Sequence, residues 1–163
     1  MAIEVVDLNG GESITTGPIT HRILEDGSHT GHRIGVVEVR IAPRTGGVPL
    51  HIHREHDETF FVVSGNPTFT GQDDTITAHP GTLVTAPAGT PHGFGNPHEQ
   101  PAVILATVTP DFYIDFFREL ANVRSGPSEL DLEEIAKIMT RYATEVVRPA
   151  STEPELRRRD DGT

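Results

Sequence analysis

Nine histidines stand in a chain that has no cysteine. With thiolates absent, imidazole and carboxylate are the groups left for metal or proton chemistry. They concentrate in His51-Ile52-His53-Arg54-Glu55-His56-Asp57-Glu58. On a strand, His51 and His53 share a face, because side chains alternate. Glu58 follows after a short connection and starts the next strand, so two imidazoles and a carboxylate can converge from paired strands. A third imidazole, His92, comes from Pro87-Ala88-Gly89-Thr90-Pro91-His92, where Pro and Gly turns can aim one side chain back at the sheet. Nitrogen and carboxylate ligands suit one divalent transition metal, Ni, Mn, Fe, Co, Cu or Zn, and do not suit Ca or Mg alone. An octahedral ion held by four protein ligands keeps two open positions for substrate, water or O2.

The elements that must position these groups read as strands up to about residue 110. Val37, Val39 and Ile41 alternate with Glu38 and Arg40, the pattern of a strand with one apolar face. Thr59-Phe60-Phe61-Val62-Val63 is β-branched and aromatic, which predicts a strand buried on both faces. Shorter strands are expected at Thr68 to Thr70 and Thr82 to Thr85, and a nearly continuous apolar one at Val103 to Val108. Turn residues punctuate all of them. Gly 16 and Pro 13 fit an all-β core of short strands closed into a sandwich or barrel. After Pro110 the period changes. Phe112, Phe116 and Leu120 recur at helical spacing with Asp111 as N-cap. Beyond Gly126-Pro127, Asp131 and Glu134 resemble a capping box, and Leu132, Ile135, Met139 and Tyr142 make a second helical stripe running on to Val147. The two helices should lay an apolar face on the outside of the barrel or on a partner subunit. Domain bounds follow as 1–110 for the barrel with its N-terminal strands, 111–147 for a helical extension and 148–163 for a disordered tail.

At the histidines the sequence resembles the cupin family. His51, His53, Glu58 and Gly65 fit its first motif, with Gly46 as the leading glycine one place nearer than usual. Gly81, Pro87, Gly89, His92 and Asn96 fit its second. Two correctly spaced motifs are far more specific than a lone H-x-H. The resemblance implies a double-stranded β-helix, or jelly-roll, barrel with two C-terminal helices, and a metal bound inside it by His51, His53, Glu58 and His92. Phe60 and Val62, which share parity with Glu58, and Phe94, two residues after His92, would line the pocket. His56 shares that parity too; its expected place is a solvated hairpin loop. His21, His29, His32, His79 and His98 lie near turn signals and read as loop or surface residues. The aromatic helix after the barrel is similar to that of single-domain quercetinase-like cupins, which implies a dioxygenase acting on a flavonol or other enolisable aromatic substrate, with Glu58 as ligand and general base. A cyclase or isomerase using the metal only as Lewis acid, and a binding protein without chemistry, are the competing readings.

The net charge of −11 excludes much else. So acidic a surface repels phosphate backbones and anionic membranes. No apolar run approaches the roughly 20 residues of a membrane span, and the first residues carry no basic, apolar export pattern. A cytoplasmic homodimer handling a small molecule, with O2 as a candidate co-substrate, is the expectation. The apolar segments Phe112 to Leu120 and Leu132 to Tyr142 are the reason for expecting a dimer, since a small barrel would not cover them alone.

Overall fold

Alternation of buried and outward side chains builds nearly every element here. A computed structural model describes residues 3–123 and 132–147. In chain order these form β1 (Glu12–Thr16), β2 (Ile19–Glu25), β3 (Gly35–Ile41), β4 (His51–His53), β5 (Asp57–Ser64), β6 (Thr68–Thr70), β7 (Thr75–Thr77), β8 (Leu83–Ala86), β9 (Gly93–Gly95) and β10 (Ala102–Thr109). A 3₁₀ turn (Asp111–Tyr113), α1 (Ile114–Val123), α2 (Leu132–Arg141) and β11 (Thr144–Val146) complete the order. All strand pairings are antiparallel. The largest sheet has the order β1-β2-β3-β10-β5-β8; β7-β6-β9 and β11-β4 are separate small sheets. In place of one closed barrel sheet the β core comprises these three sheets, joined by bridges at Thr45 with Asn96 and His51 with His92.

The register shows how the core forms. Across β3, β10 and β5, Val39 faces Ile104 and Ile104 faces Val62; Val37 faces Ala106 and Ala106 faces Phe60. All six are buried, and each fully buried Val, Ile or Phe contributes roughly 1.5–3 kcal/mol. Phe69 of β6 and Phe94 of β9 meet Phe60 at 5.4 and 5.7 Å between ring centroids, closing the small sheet onto the large one. The strand expected to be buried on both faces is not: Phe61 and Val63 of β5 are exposed, as is Leu83 opposite Phe61. An antiparallel sheet of this kind covers one face only.

The C-terminal part departs further from the helical reading. Asp111 does not cap a helix by its side chain. The 3₁₀ turn precedes α1 with Pro110 at its start and no side-chain cap, and the Asp111 carboxylate instead meets His32 Nδ1 at 2.8 Å. Nor does α2 run to Val147. It ends at Arg141, the chain turns with Ala143 at φ 48°, and Thr144–Val146 add to β4 as β11. The β-branched Thr144 and Val146 suit that strand, and β4 offers it a free edge. Of the two expected uses of the helical faces, packing on the barrel is the one seen: Tyr113, Phe116 and Leu120 interlock with Ile138, Met139 and Tyr142 beside Val108. Large exposed apolar side chains lie mostly elsewhere, on Phe61, Val63, Ile76 and Leu83 and in the first residues at Ile3, Val5 and Leu8, with Phe112 and Val146 the exposed ones in the C-terminal part. Asp131 and the proposed tail lie outside the described residues. Among those residues no helix is long and apolar enough to cross a membrane.

His21 was expected at the surface. It lies on the inward face of β2 between Ile19 and Ile23, 6% exposed, and stacks on Phe117 at 4.4 Å. Burial lowers it to about 4, while its Nδ1 has no hydrogen-bond partner among the described residues. The unfolded chain therefore takes up its proton first as pH falls from about 6.5 to 4, and folding stability is lost over that window. His21→Phe should remove this part of the acid limb. In chemical denaturation the variant should gain on the order of 2 kcal/mol relative to the wild type between pH 7 and pH 5; an unchanged difference across that range would contradict a buried neutral imidazole.

Candidate metal centre

The HxH strand is delivered by a tight crossing of the chain. Gly47 has φ 92°, and a Cβ there would fall 2.0 Å from the Phe94 carbonyl oxygen, whereas Gly46 has open space around it. Gly47, rather than the Gly46 singled out by motif spacing, is the glycine the fold requires. Gly65 matches its motif role: φ is 75° and a Cβ would lie 2.5 Å from the Pro101 carbonyl. From there His51 and His92 exchange backbone hydrogen bonds, 2.9 Å in each direction. Gly89 N donates to the His53 carbonyl and Ala88 N to the Asp57 carboxylate, so the turn bearing His92 is tied to both neighbouring ligand strands. Asn96 is buried and structural, its amide donating to the Ala42 and Gln100 carbonyls.

His51, His53, Glu58 and His92 come together, each buried, with one donor atom apiece all within 4.8 Å of one another. His51 Nε2 lies 3.1 Å from His53 Nε2. Glu58 Oε2 lies 3.0 Å from His92 Nε2 and 3.3 Å from His53 Nε2. The far side of each ring decides what these contacts are. His51 Nδ1 meets the Pro49 carbonyl at 2.7 Å and His92 Nδ1 the Thr90 carbonyl at 2.9 Å. A carbonyl can only accept, so both Nδ1 atoms carry hydrogen. His53 Nδ1 meets Thr144 Oγ1 at 2.8 Å, and that hydroxyl donates to the Tyr142 carbonyl at 2.9 Å. It therefore accepts from His53. In their neutral forms all three imidazoles present a bare Nε2 to the same point as Glu58 Oε2, the arrangement of a ligand set with its outer partners in place.

Electrostatics agree. Burial, then the neighbouring His92 and His53, lower His51 to about 4. Burial alone would raise Glu58, but the His53 and His92 imidazoles hold it well below the ordinary carboxylate range. Burial also opposes charge on His92, yet Glu58 outweighs it and raises that ring. The set is thus an anion among imidazoles, which a divalent transition ion fits in donor type, number and spacing.

His56, expected in solvent, is 2% exposed. Its ring lies between those of His53, at 4.0 Å, and Tyr113, at 4.9 Å. Neither of its nitrogens has a hydrogen-bond partner among the described residues, and Nε2 stands 3.9 Å from Glu58 Oε1. Burial and then His53 lower it to about 4. Tyr113 also meets the His53 ring at 4.4 Å; burial and the Glu58 charge push its phenol up. Thr144, Tyr113 and the burial of His56 were missed in the sequence. The Thr-Glu-Val-Val run after Ala143 is the one signal that could have pointed to a strand there. On the opposite side Phe60 lies 6.0 Å from the His92 ring, Phe94 packs on Phe60, and Val62 is wholly within the core.

Residues 37–108 match the family model described as the cupin domain. Quercetin 2,3-dioxygenase of Bacillus subtilis (strain 168) is 24% identical over 151 residues, 89% of this chain and 44% of that protein. The chain thus spans less than half the length of this curated relative. Among solved structures, a sugar phosphate isomerase of the cupin superfamily from Silicibacter pomeroyi is 26% identical with a TM-score of 0.56, covering 65% of this chain and 75% of that one. The polyketide cyclase RemF from Streptomyces resistomycificus is 24% identical with a TM-score of 0.59, covering 66% and 80%. These structures share the mainly antiparallel β fold.

Reconstitution should load one divalent transition ion per chain. Metal at about 100 times its Kd should raise the Tm by about 5–10 °C. His51→Ala and His92→Ala should abolish both the stoichiometric metal and the shift, as read by elemental analysis and thermal melts.

Proposed function

We propose, on the match of residues 37–108 to the cupin domain, that the protein is a metal-dependent enzyme, acting as a dioxygenase on a flavonol or other enolisable aromatic substrate. The carrying observation is the convergence of three bare imidazole nitrogens and one carboxylate oxygen in a buried interior. Likeness to a quercetin dioxygenase along 89% of the chain favours oxidative chemistry. A metal held by His51, His53, Glu58 and His92 would supply Lewis acidity and open positions for the substrate's oxygen and for O2.

The chain's own groups do the rest. Glu58 turns Oε2 toward the imidazoles and leaves Oε1 facing His56. It is held ionised at neutral pH, so Oε1 is in the form that takes the substrate's hydroxyl proton. Phe60 and Phe94 give the site an apolar wall, suited to a planar ring and to keeping water from the deprotonated substrate. We assign the cell's interior as the place of action, and a homodimer as the assembly. The exposed strip of Phe61, Val63 and Leu83 is the face we assign to the second copy, and a monomer mass by light scattering at micromolar concentration would refute that assembly.

The sugar phosphate isomerase, 26% identical, favours a second reading, in which the metal serves only as Lewis acid for a non-oxidative step. O2 consumption by the reconstituted protein over a panel of flavonols and other enols separates the two. Uptake is expected with a flavonol; conversion without uptake would establish the second reading. Metal-saturated Glu58→Gln should turn over about 10²–10⁴-fold more slowly, because an amide cannot accept the proton. Near-wild-type turnover after a check of metal content would leave Glu58 as a ligand alone.

A further inference from the structure

Each imidazole of the centre needs an acceptor behind it, and two of the three find one locally. His51 uses Pro49 and His92 uses Thr90, each a backbone carbonyl two residues away. His53 is different: its acceptor is the Thr144 hydroxyl, 91 positions along the chain, beyond the stretch that matches the cupin domain. We propose that the segment 142–147 is a working part of the metal centre: Thr144 is the positioning residue for His53, and metal binding and docking of β11 on β4 reinforce each other.

The chemistry turns on which way one hydroxyl points. If Thr144 donated to His53 Nδ1, the ring's hydrogen would sit on Nε2 and block the metal side. The Tyr142 carbonyl prevents this by taking the Thr144 hydrogen at 2.9 Å. Thr144 can then only accept from His53, which frees Nε2. Thr144 is 1% exposed and His53 2%, so water cannot readily replace the hydroxyl. Tyr142 is in turn fixed by its amide on the Met139 carbonyl, its phenol on Glu119 at 2.7 Å, and its ring in the apolar cluster of α1 and α2.

The strand pairing carries the coupling. Thr144, Glu145 and Val146 face His53, Ile52 and His51. Arg54 N donates to the Ala143 carbonyl and Val147 N to the Leu50 carbonyl, both at 2.8 Å. Without β11, β4 would keep, among the described residues, its bridge to His92 and the Gly89 bond to the His53 carbonyl, and two ligands would sit on a strand with one whole edge unpaired. Linkage then works both ways: whatever seats β11 tightens the metal, and metal tightens β11.

This rests on the metal-centre reading, and the test separates the two. Metal affinity of the full chain would be measured by chelator competition for the wild type, Thr144→Val, Thr144→Ser, Glu145→Gln and His53→Ala. Thr144→Val keeps the shape and removes the acceptor, so affinity should fall about 10–100-fold. Thr144→Ser should restore most of it, and Glu145→Gln, which breaks only the exposed ion pair of β11 with Arg54, should lower affinity no more than about 5-fold, because an exposed pair seats the strand weakly. Should Thr144→Val bind metal as the wild type does while His53→Ala does not, the positioning role is refuted and the metal centre stands. Should His53→Ala also bind normally, both fall. A second measurement needs no variant. In the wild type, added metal should slow hydrogen exchange at the Arg54 and Val147 amides; a merely structural Thr144 would leave that exchange independent of metal. No metal-dependent slowing there would overturn the coupling even if Thr144→Val fails to fold.

Discussion

Four lone-pair donors facing one another in a buried interior form the constraint around which this structure is organised. Glu58 is a buried carboxylate whose close partners are imidazoles: His53, His92 and, at 3.9 Å, His56. A buried anion without a compensating cation is costly. His51, His53 and His92, which have spent their hydrogens on outward acceptors, cannot relieve it without taking up another proton. A proton shared by His92 and Glu58 relieves part of the cost, consistent with the raised His92 and lowered Glu58. One divalent ion at the shared point relieves all of it, because it meets every lone pair at once.

The rest of the fold supplies the rigidity this requires. Glu58 starts the inward row of β5, continued by Phe60 and Val62, and β10 locks that row from one side while β8 pairs from the other. His51 and His53 lie on a strand of three residues, too short to hold itself. It is fixed by the crossing at Gly47, by the reciprocal bonds with His92 and by β11. Ligands from three separate elements can hold one geometry only when each element is tied to the others. The bonds from Gly89 to His53 and from Ala88 to Asp57 do this at the open end of the sheet.

The sequence was most informative where chemistry and strand period coincide. His51 and His53 share a face because the period is two, Glu58 opens the strand that follows their turn, and His92 ends a turn marked by its own Pro and Gly. The central strands β3 and β10 were visible for the same reason. Long-range partnership was not visible. The β-branched run after Ala143 was the one local hint at Thr144, but what makes it a strand residue is the free edge of β4, 91 positions away. His56 and His21 read as polar and therefore outward, yet parity with Glu58 in one case and with Ile19 and Ile23 in the other placed them inside. Phe61 and Val63 erred the other way: composition implied two buried faces, while the sheet offers cover on one.

Charge counting links the buried histidines to the substrate class proposed. Burial lowers His51 and His56 to about 4, so at neutral pH both are uncharged. With a divalent ion in place, any proton held between His92 and Glu58 is displaced, since their lone pairs become ligands. The centre would then be one dication, one carboxylate and neutral imidazoles, a net charge of about +1 in a low-dielectric site. A neutral ligand leaves that charge uncompensated, and a dianion overshoots it. A monoanion, such as a singly deprotonated enol, brings the site to neutrality. When Glu58 Oε1 takes the released proton, the enolate replaces the charge that Glu58 loses, and the centre stays at about +1 until that proton passes on to solvent, which leaves it neutral. In this reading the uncharged His56 beside Oε1 keeps a fixed positive charge away from Glu58, which would otherwise hold the carboxylate ionised and oppose the transfer.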